Sequence, residues 1–206
     1  MPASILDKLL DINRRWSRRM MEQQPDFFKR IAEVHEPEFL WIGCSDGRVG
    51  PDKLLELPPG SIFVHRNIGN VFASNDLNCL AVLQYAVEVL KVPNIVVCGH
   101  YGCGGIRQAL SEHGGTAIDI WTDQIRAVHR RFRDEISRLP TPEAQADRLT
   151  ELNVICQVES ICHTSIIQEA WARRQQINVI GLVYDIHDGL LRSLGIEYGP
   201  PGRQQA

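Results

Sequence analysis

No stretch of this sequence approaches the roughly 20 consecutive apolar residues that a membrane-spanning helix needs, so no membrane span is expected. The opening MPASILDKLLDINRRW carries Asp7 and Asp11 early and lacks a continuous apolar segment. That argues against a secretory signal and for a cytoplasmic chain. Neither sign of charge is in excess. A net charge of −3 with 23% charged residues gives no nucleic-acid footprint and no reason to expect a polyanionic partner. The clusters Arg14, Arg15, Arg18, Arg19 and Arg130, Arg131, Arg133 lie in helical patterns rich in other charges and read as solvated faces. Internal repeats, low-complexity segments and linkers are missing. The six cysteines lack the short spacings of a secreted disulfide framework, and a cytosolic chain would keep them reduced. Cys79, Cys98, Cys156 and Cys162 sit in apolar patterns and read as small buried hydrophobes. Cys44 and Cys103 differ, because glycine and polar groups surround each.

What is present reads as one α/β domain with an appendage. The length of 206 residues suits a single domain with a sizeable core. Residues 4–35 read as helix, with Ile5, Leu6, Leu9, Leu10, Ile12, Trp16 and Met20 forming an apolar stripe and Pro25 breaking the run. This gives an N-terminal helical arm, residues 1–35, ahead of an α/β domain, residues 36–206. Two uses of the arm stay open: wrapping onto another subunit, or packing back on its own domain. From residue 38 the pattern changes to short apolar runs. Strands buried on both faces are expected at 39–43, 94–99 and 177–185, with a fourth strand at 61–67. Helical stretches occupy 76–91, 104–113 and most of 117–138 and 143–174. After the strand ending at residue 185, a turn at Asp188-Gly189 leads to an edge strand. The alternation predicts a mostly parallel central sheet with helices on both sides.

In open α/β sheets, sites form beyond the carboxyl ends of strands. Two strands end in chemically unusual loops: CSDGR at 44–48 and GHYGCGG at 99–105. His100 and Cys103, three residues apart among glycines, can reach one ion from a single turn. Cys44 would complete a Cys2His set if the two strand ends lie side by side, and such a set suits tetrahedral Zn²⁺ with one open position. Asp46 could close that position as a fourth ligand, or pair with Arg48 and leave it to water. Spacing alone also allows a loop histidine beside a buried thiol, a closed structural zinc site, and an ordinary surface ion pair of Asp46 with Arg48.

The two loops together resemble the β-class carbonic anhydrase pattern C-x-D-x-R … H-x-x-C. The similarity extends through FVHRNIGN (63–70), DLNCLAVLQYAVEVL (76–90) and YDIHDGLLR (184–192), and covers roughly residues 38 to 195. The resemblance implies a zinc enzyme that interconverts carbon dioxide and bicarbonate. It implies Cys44, His100 and Cys103 as metal ligands, Asp46 and Arg48 as the catalytic dyad, and a homodimer or homotetramer gripped by N-terminal helices. The chain also resembles the bicarbonate-regulated bacterial subgroup (type II). By that resemblance Trp41, Arg66 and Tyr184 bind a second, non-catalytic bicarbonate, Asp46 occupies the metal in a closed state, and Val49 swings as the loop switches. One departure stands in the loop: the family commonly has serine where this chain has Gly47, and the reading expects this to shift the balance between the two Asp46 states. His65, His163 and His187 are weak proton-shuttle candidates. Two rivals remain at this point. One is a zinc hydrolase of a CO2 analogue such as carbon disulfide or carbonyl sulfide. The other is a non-catalytic zinc protein that senses bicarbonate.

Overall fold

The computed structural model describes residues 4–112 and 114–200. Positions 1–3, 113 and 201–206, which fall in the expected arm, the 104–113 helix and the C-terminal end of the main domain, lie outside the described residues. The chain divides into two compact units, Met1–Glu36 and Pro37–Ala206.

The first unit holds α1 (Ile5–Gln23) and α2 (Phe27–Glu33). Ser4 and Asp7 form a capping box that satisfies two N-terminal amides of α1. The chain leaves helix at Gln24, just before Pro25, as the missing proline N–H dictates. Trp16 meets Phe27 and Phe28 edge-to-face, with centroids 6.2 and 5.7 Å away. Ile5, Leu6, Leu9, Leu10 and Ile12 are exposed, and no residue of α1 is buried.

The second unit is built on a five-stranded sheet: β1 (Phe39–Cys44), β2 (Ile62–Asn67), β3 (Asn94–His100), β4 (Asn178–Asp185) and β5 (Leu190–Tyr198). The spatial order is β2-β1-β3-β4-β5, with β1 to β4 parallel and β5 antiparallel to β4. Its helices are α3 (Pro51–Leu54), α4 (Leu77–Gln84), α5 (Gly104–Leu110), α6 (Ala117–Arg131), α7 (Arg133–Ile136), α8 (Pro142–Cys162) and α9 (Ser165–Ala172). On one sheet face, Leu40, Ile42, Ile95, Val97, Val179 and Val183 join Leu83 of α4, Val154 and Val158 of α8, and Ile167 of α9 in the main core. The other face carries a smaller cluster around Trp41, Val96 and Cys98, flanked by Leu55, Leu182 and Tyr184. A third cluster, between α5, α6 and α8, surrounds Cys44 and Cys103. Among the described residues no helix is long and apolar enough to cross a membrane.

Several expectations need correction. β1 and β3 are buried on both faces, but β4, although also interior in the sheet, alternates between buried and half-buried. The 76–91 helix leaves α geometry at Tyr85: a π-helical turn, Tyr85–Val89, follows α4, with Leu90 N–H bonded to the Tyr85 carbonyl at 3.0 Å. The 143–174 stretch splits at Thr164, whose hydroxyl caps α9, and the 117–138 stretch splits at Phe132. Cys156 is half-buried rather than buried. The short α3 was not anticipated.

Where β3 approaches its end, α8 lies unusually close. A Cβ on Gly99 would stand 2.7 Å from Val154 Cγ2 and 3.1 Å from Thr150 Cγ2. Gly99→Ala is therefore expected to destabilise the protein by about 1–3 kcal/mol in urea denaturation. Gly104→Ala, whose Cβ meets nothing within 4 Å, should stay within about 0.5 kcal/mol of wild type.

Candidate metal centre

β1 and β3 are hydrogen-bonded neighbours, and Cys44 and His100 are their last residues. The condition set by the sequence, two strand ends side by side, is met. Gly102, at φ +68°, then turns the chain so that Cys103 opens α5. The ligand atoms of Cys44, His100 and Cys103 all lie within 4.8 Å of one another, and all three residues are buried. The two sulfurs are 3.8 Å apart.

The imidazole is held in one tautomer. Nδ1 lies 3.0 Å from the Tyr101 carbonyl, which can only accept, so Nδ1 carries the proton and Nε2 the lone pair. Nε2 is buried without a hydrogen-bond partner among the described residues. A buried lone pair facing two thiols is costly as an empty arrangement and natural as a metal-ligand set. Cys44 is pulled down to about 4, chiefly by its contact with Cys103, with further help from the Gly69 and Asp46 amides. The resulting thiolate, together with burial, pushes Cys103 up. One proton thus leaves this pair readily and the second is retained, until a cation compensates the charge of both sulfurs.

Asp46 stands beside the cluster and is engaged elsewhere. Arg48 grips it through two parallel bonds, Nε to Oδ1 at 3.0 Å and Nη2 to Oδ2 at 2.6 Å, and its own backbone N–H adds a third at 3.0 Å. These bonds hold the Asp46 carboxyl well below the usual carboxylate range, chiefly through the Arg48 side chain. Oδ2 is 3.8 Å from His100 Nε2. Of the two Asp46 states foreseen, the structure holds the arginine-paired one. Gly47 has open space around it, so a side chain there meets no obstruction. Val49 is buried and donates its N–H to the Asp46 carbonyl.

Arg66, level with Gly43 in the β1–β2 register, reaches forward to the same loop. Its Nε donates to the Cys44 carbonyl at 2.7 Å and its Nη2 to the Asp46 carbonyl. Strand pairing places Trp41, Arg66 and Tyr184 on one sheet face, where Trp41 and Tyr184 share an apolar cluster. The Trp41 indole lies over Gly43, whose added Cβ would be 2.6 Å from the indole nitrogen. Of the shuttle candidates, His65 is buried with Nε2 facing the Asn67 amide at 3.1 Å, and His163 is turned onto its own helix. His187 is exposed, bonded to Asp185, and lines a cleft of about 550 Å³ with Gly102 and Cys103. Sequence reasoning missed the Gly69 amide and the Tyr101 carbonyl, since main-chain groups leave little trace in side-chain identity. The only signal was glycine, and Gly69 does sit at φ +77°.

The sequence model of the family described as "Carbonic anhydrase" matches residues 39–191. The chain belongs to the β-class carbonic anhydrases. A carbonic anhydrase of Emericella nidulans is 39% identical over 192 residues, which is 93% of this chain and 84% of that protein. A tetrameric β-carbonic anhydrase of Sordaria macrospora superposes with a TM-score of 0.89 at 36% identity, covering 93% of this chain and 97% of the other. A Coccomyxa β-carbonic anhydrase in complex with acetazolamide gives 0.88 at 37%, covering 95% and 89%. The cofactor of this carbonic anhydrase is zinc, and its reaction is the hydration of carbon dioxide.

Burial lowers the His65 pKa, with Asp76 opposing weakly. The unfolded chain therefore takes up this proton first as pH falls, and stability drops from about pH 6.5 downward until the folded pKa is passed. His65→Gln, which keeps an acceptor for Asn67, should flatten that portion of the stability–pH curve measured by urea titration.

Proposed function

We propose that Cys44, His100 and Cys103 hold the zinc of this carbonic anhydrase, that Asp46 and Arg48 are its catalytic dyad, and that bicarbonate and pH regulate it through the loop carrying that dyad. The observation that carries the reading is the convergence of two thiols and a proton-free Nε2 within 4.8 Å, beside a carboxylate already committed to an arginine. Zinc in such a set acts as a Lewis acid that makes water a competent nucleophile near neutral pH. The chain's own residues do the rest. Asp46 stays ionised and so only accepts hydrogen bonds, which orients the O–H of the attacking water and leaves its lone pair free for the CO2 carbon. Arg48 prevents the carboxylate from turning. The new C–O bond gives bicarbonate, and one proton passes to buffer.

The regulatory part rests on Arg66. Two of its donors tie down the Cys44 and Asp46 carbonyls, so an anion that recruits this guanidinium, alongside the Trp41 N–H and the Tyr184 O–H, competes directly with the bonds that shape the metal loop. In the closed state Asp46 leaves Arg48 for the metal and Val49 moves with it. A homodimer or homotetramer, with residues 1–35 covering a partner, is supported by the exposed stripe of α1 and by the tetrameric Sordaria relative. A cytoplasmic location is supported by two cysteine ligands that a reducing compartment keeps available.

Stopped-flow CO2 hydration with a pH indicator, alongside zinc analysis, tests the catalytic reading. Wild type should carry one zinc per chain and turn over, with activity rising towards alkaline pH. Cys103→Ala should lose both metal and turnover. Asp46→Asn should keep the metal and lose about 100-fold or more in rate. Turnover of carbon disulfide or carbonyl sulfide without CO2 hydration, or zinc-replete protein with no turnover, would replace this reading.

The regulatory reading has its own tests. Tyr184→Phe should weaken inhibition by added bicarbonate at unchanged zinc content, and equal inhibition in both proteins would remove the second site. Gly47→Ser should shift the pH–rate profile, and an unmoved profile would dismiss the role given to Gly47.

A further inference from the structure

The Tyr101 carbonyl that fixes the His100 tautomer belongs to the peptide between residues 101 and 102. Its direction is set by ψ of Tyr101 and φ of Gly102. Gly102 sits at φ +68° and has no Cβ to restrict it, so the turn itself offers little resistance to a displacement of the Tyr101 main chain. Such a displacement would carry the carbonyl away from His100 Nδ1.

Three anchors oppose it. The Tyr101 N–H donates to the Tyr184 carbonyl at 3.0 Å, extending the β3–β4 ladder by one bond. The carbonyl itself receives the imidazole N–H. The third anchor lies at the far end of the side chain, where the Tyr101 hydroxyl donates to Glu151 Oε1 of α8 at 2.7 Å. Glu151 is fixed in turn: its Oε2 meets Arg148 Nη1 at 2.6 Å, and Arg148 Nε meets Glu135 Oε1 of α7 at 2.6 Å.

We propose that Tyr101 is a positioning residue of the metal centre. Its phenol, locked by Glu151, holds the Tyr101 main chain in place, so that its carbonyl stays within reach of His100 Nδ1 and keeps Nε2 aimed at the metal. Tyr101 touches neither metal nor substrate, and it acts through His100. The proposal rests on His100 being a zinc ligand, as read above.

Zinc affinity by chelator competition, exchange of the His100 Nδ1 proton by NMR, and thermal stability of the metal-free protein form the test. Tyr101→Phe should weaken zinc binding about tenfold, the range for outer-shell partners of ligating histidines. It should also speed Nδ1 proton exchange. Glu151→Gln, which still accepts from the phenol, should keep both near wild type, whereas Glu151→Ala should behave as Tyr101→Phe does. Zinc affinity in Tyr101→Phe within about twofold of wild type would overturn the proposal. So would unchanged proton exchange, or an affinity loss that merely tracks a loss of metal-free stability. His100→Ala separates the two readings: full zinc binding in that variant would refute the ligand assignment itself, whatever Tyr101→Phe shows.

Discussion

Everything at the metal centre depends on the pairing of β1 with β3. Two parallel strands that are far apart in sequence end one residue apart in level, Gly43 standing opposite Cys98, and the last residue of each is a candidate ligand. A one-residue slip in that register would turn Cys44 or His100 to the opposite sheet face. Burial helps to fix the register: Leu40, Ile42, Ile95 and Val97 fill the main core while Trp41, Val96 and Cys98 fill the smaller cluster opposite, and a one-residue slip of either strand would exchange its two sets. The hydrophobic pattern of two ordinary-looking strands thereby sets ligand geometry.

Asp46 rests on Arg48 through a bidentate pair that balances its charge. Were a divalent cation held by two thiolates and a neutral imidazole, that set would also sum to zero, and moving Asp46 onto it would leave one negative cluster and one unpaired guanidinium. Arg48 is largely exposed, which keeps the loss of its partner bearable because water can replace the carboxylate. Arg66, on the other side of the loop, holds main-chain carbonyls rather than a counter-ion, so it steadies the loop without adding to this balance.

Much of this was legible beforehand, for identifiable reasons. The candidate trio stood out as cysteine and histidine among glycines after apolar runs, and it was the resemblance to the β-class pattern, not spacing, that singled it out as a ligand set. The strands showed because interior parallel strands are continuously apolar. The half-burial of β4, the π turn after α4 and the break at Thr164 were not visible, since each depends on which tertiary neighbour is present rather than on local pattern. Arg66 was read as a bicarbonate ligand. Its bonds to the Cys44 and Asp46 carbonyls could not be read, because a side chain's main-chain partners are set by register. The same holds for Gly69 and Tyr101, whose contributions are an amide and a carbonyl.

The seat of α8 on the sheet has a wider reach. Val154 fits into a hollow formed by Gly99 and Gly181 on adjacent strands, and any side chain at either glycine would meet it. One turn before Val154 on the same helix stands Glu151, the partner of Tyr101. A side chain at Gly181 would strike Ile196 of β5 before Val154, which stands 3.2 Å away, so the strain there would fall first on the edge strand. At Gly99 it would fall directly on α8, and the tether on the imidazole thus leans on a bare backbone position that carries no chemistry of its own.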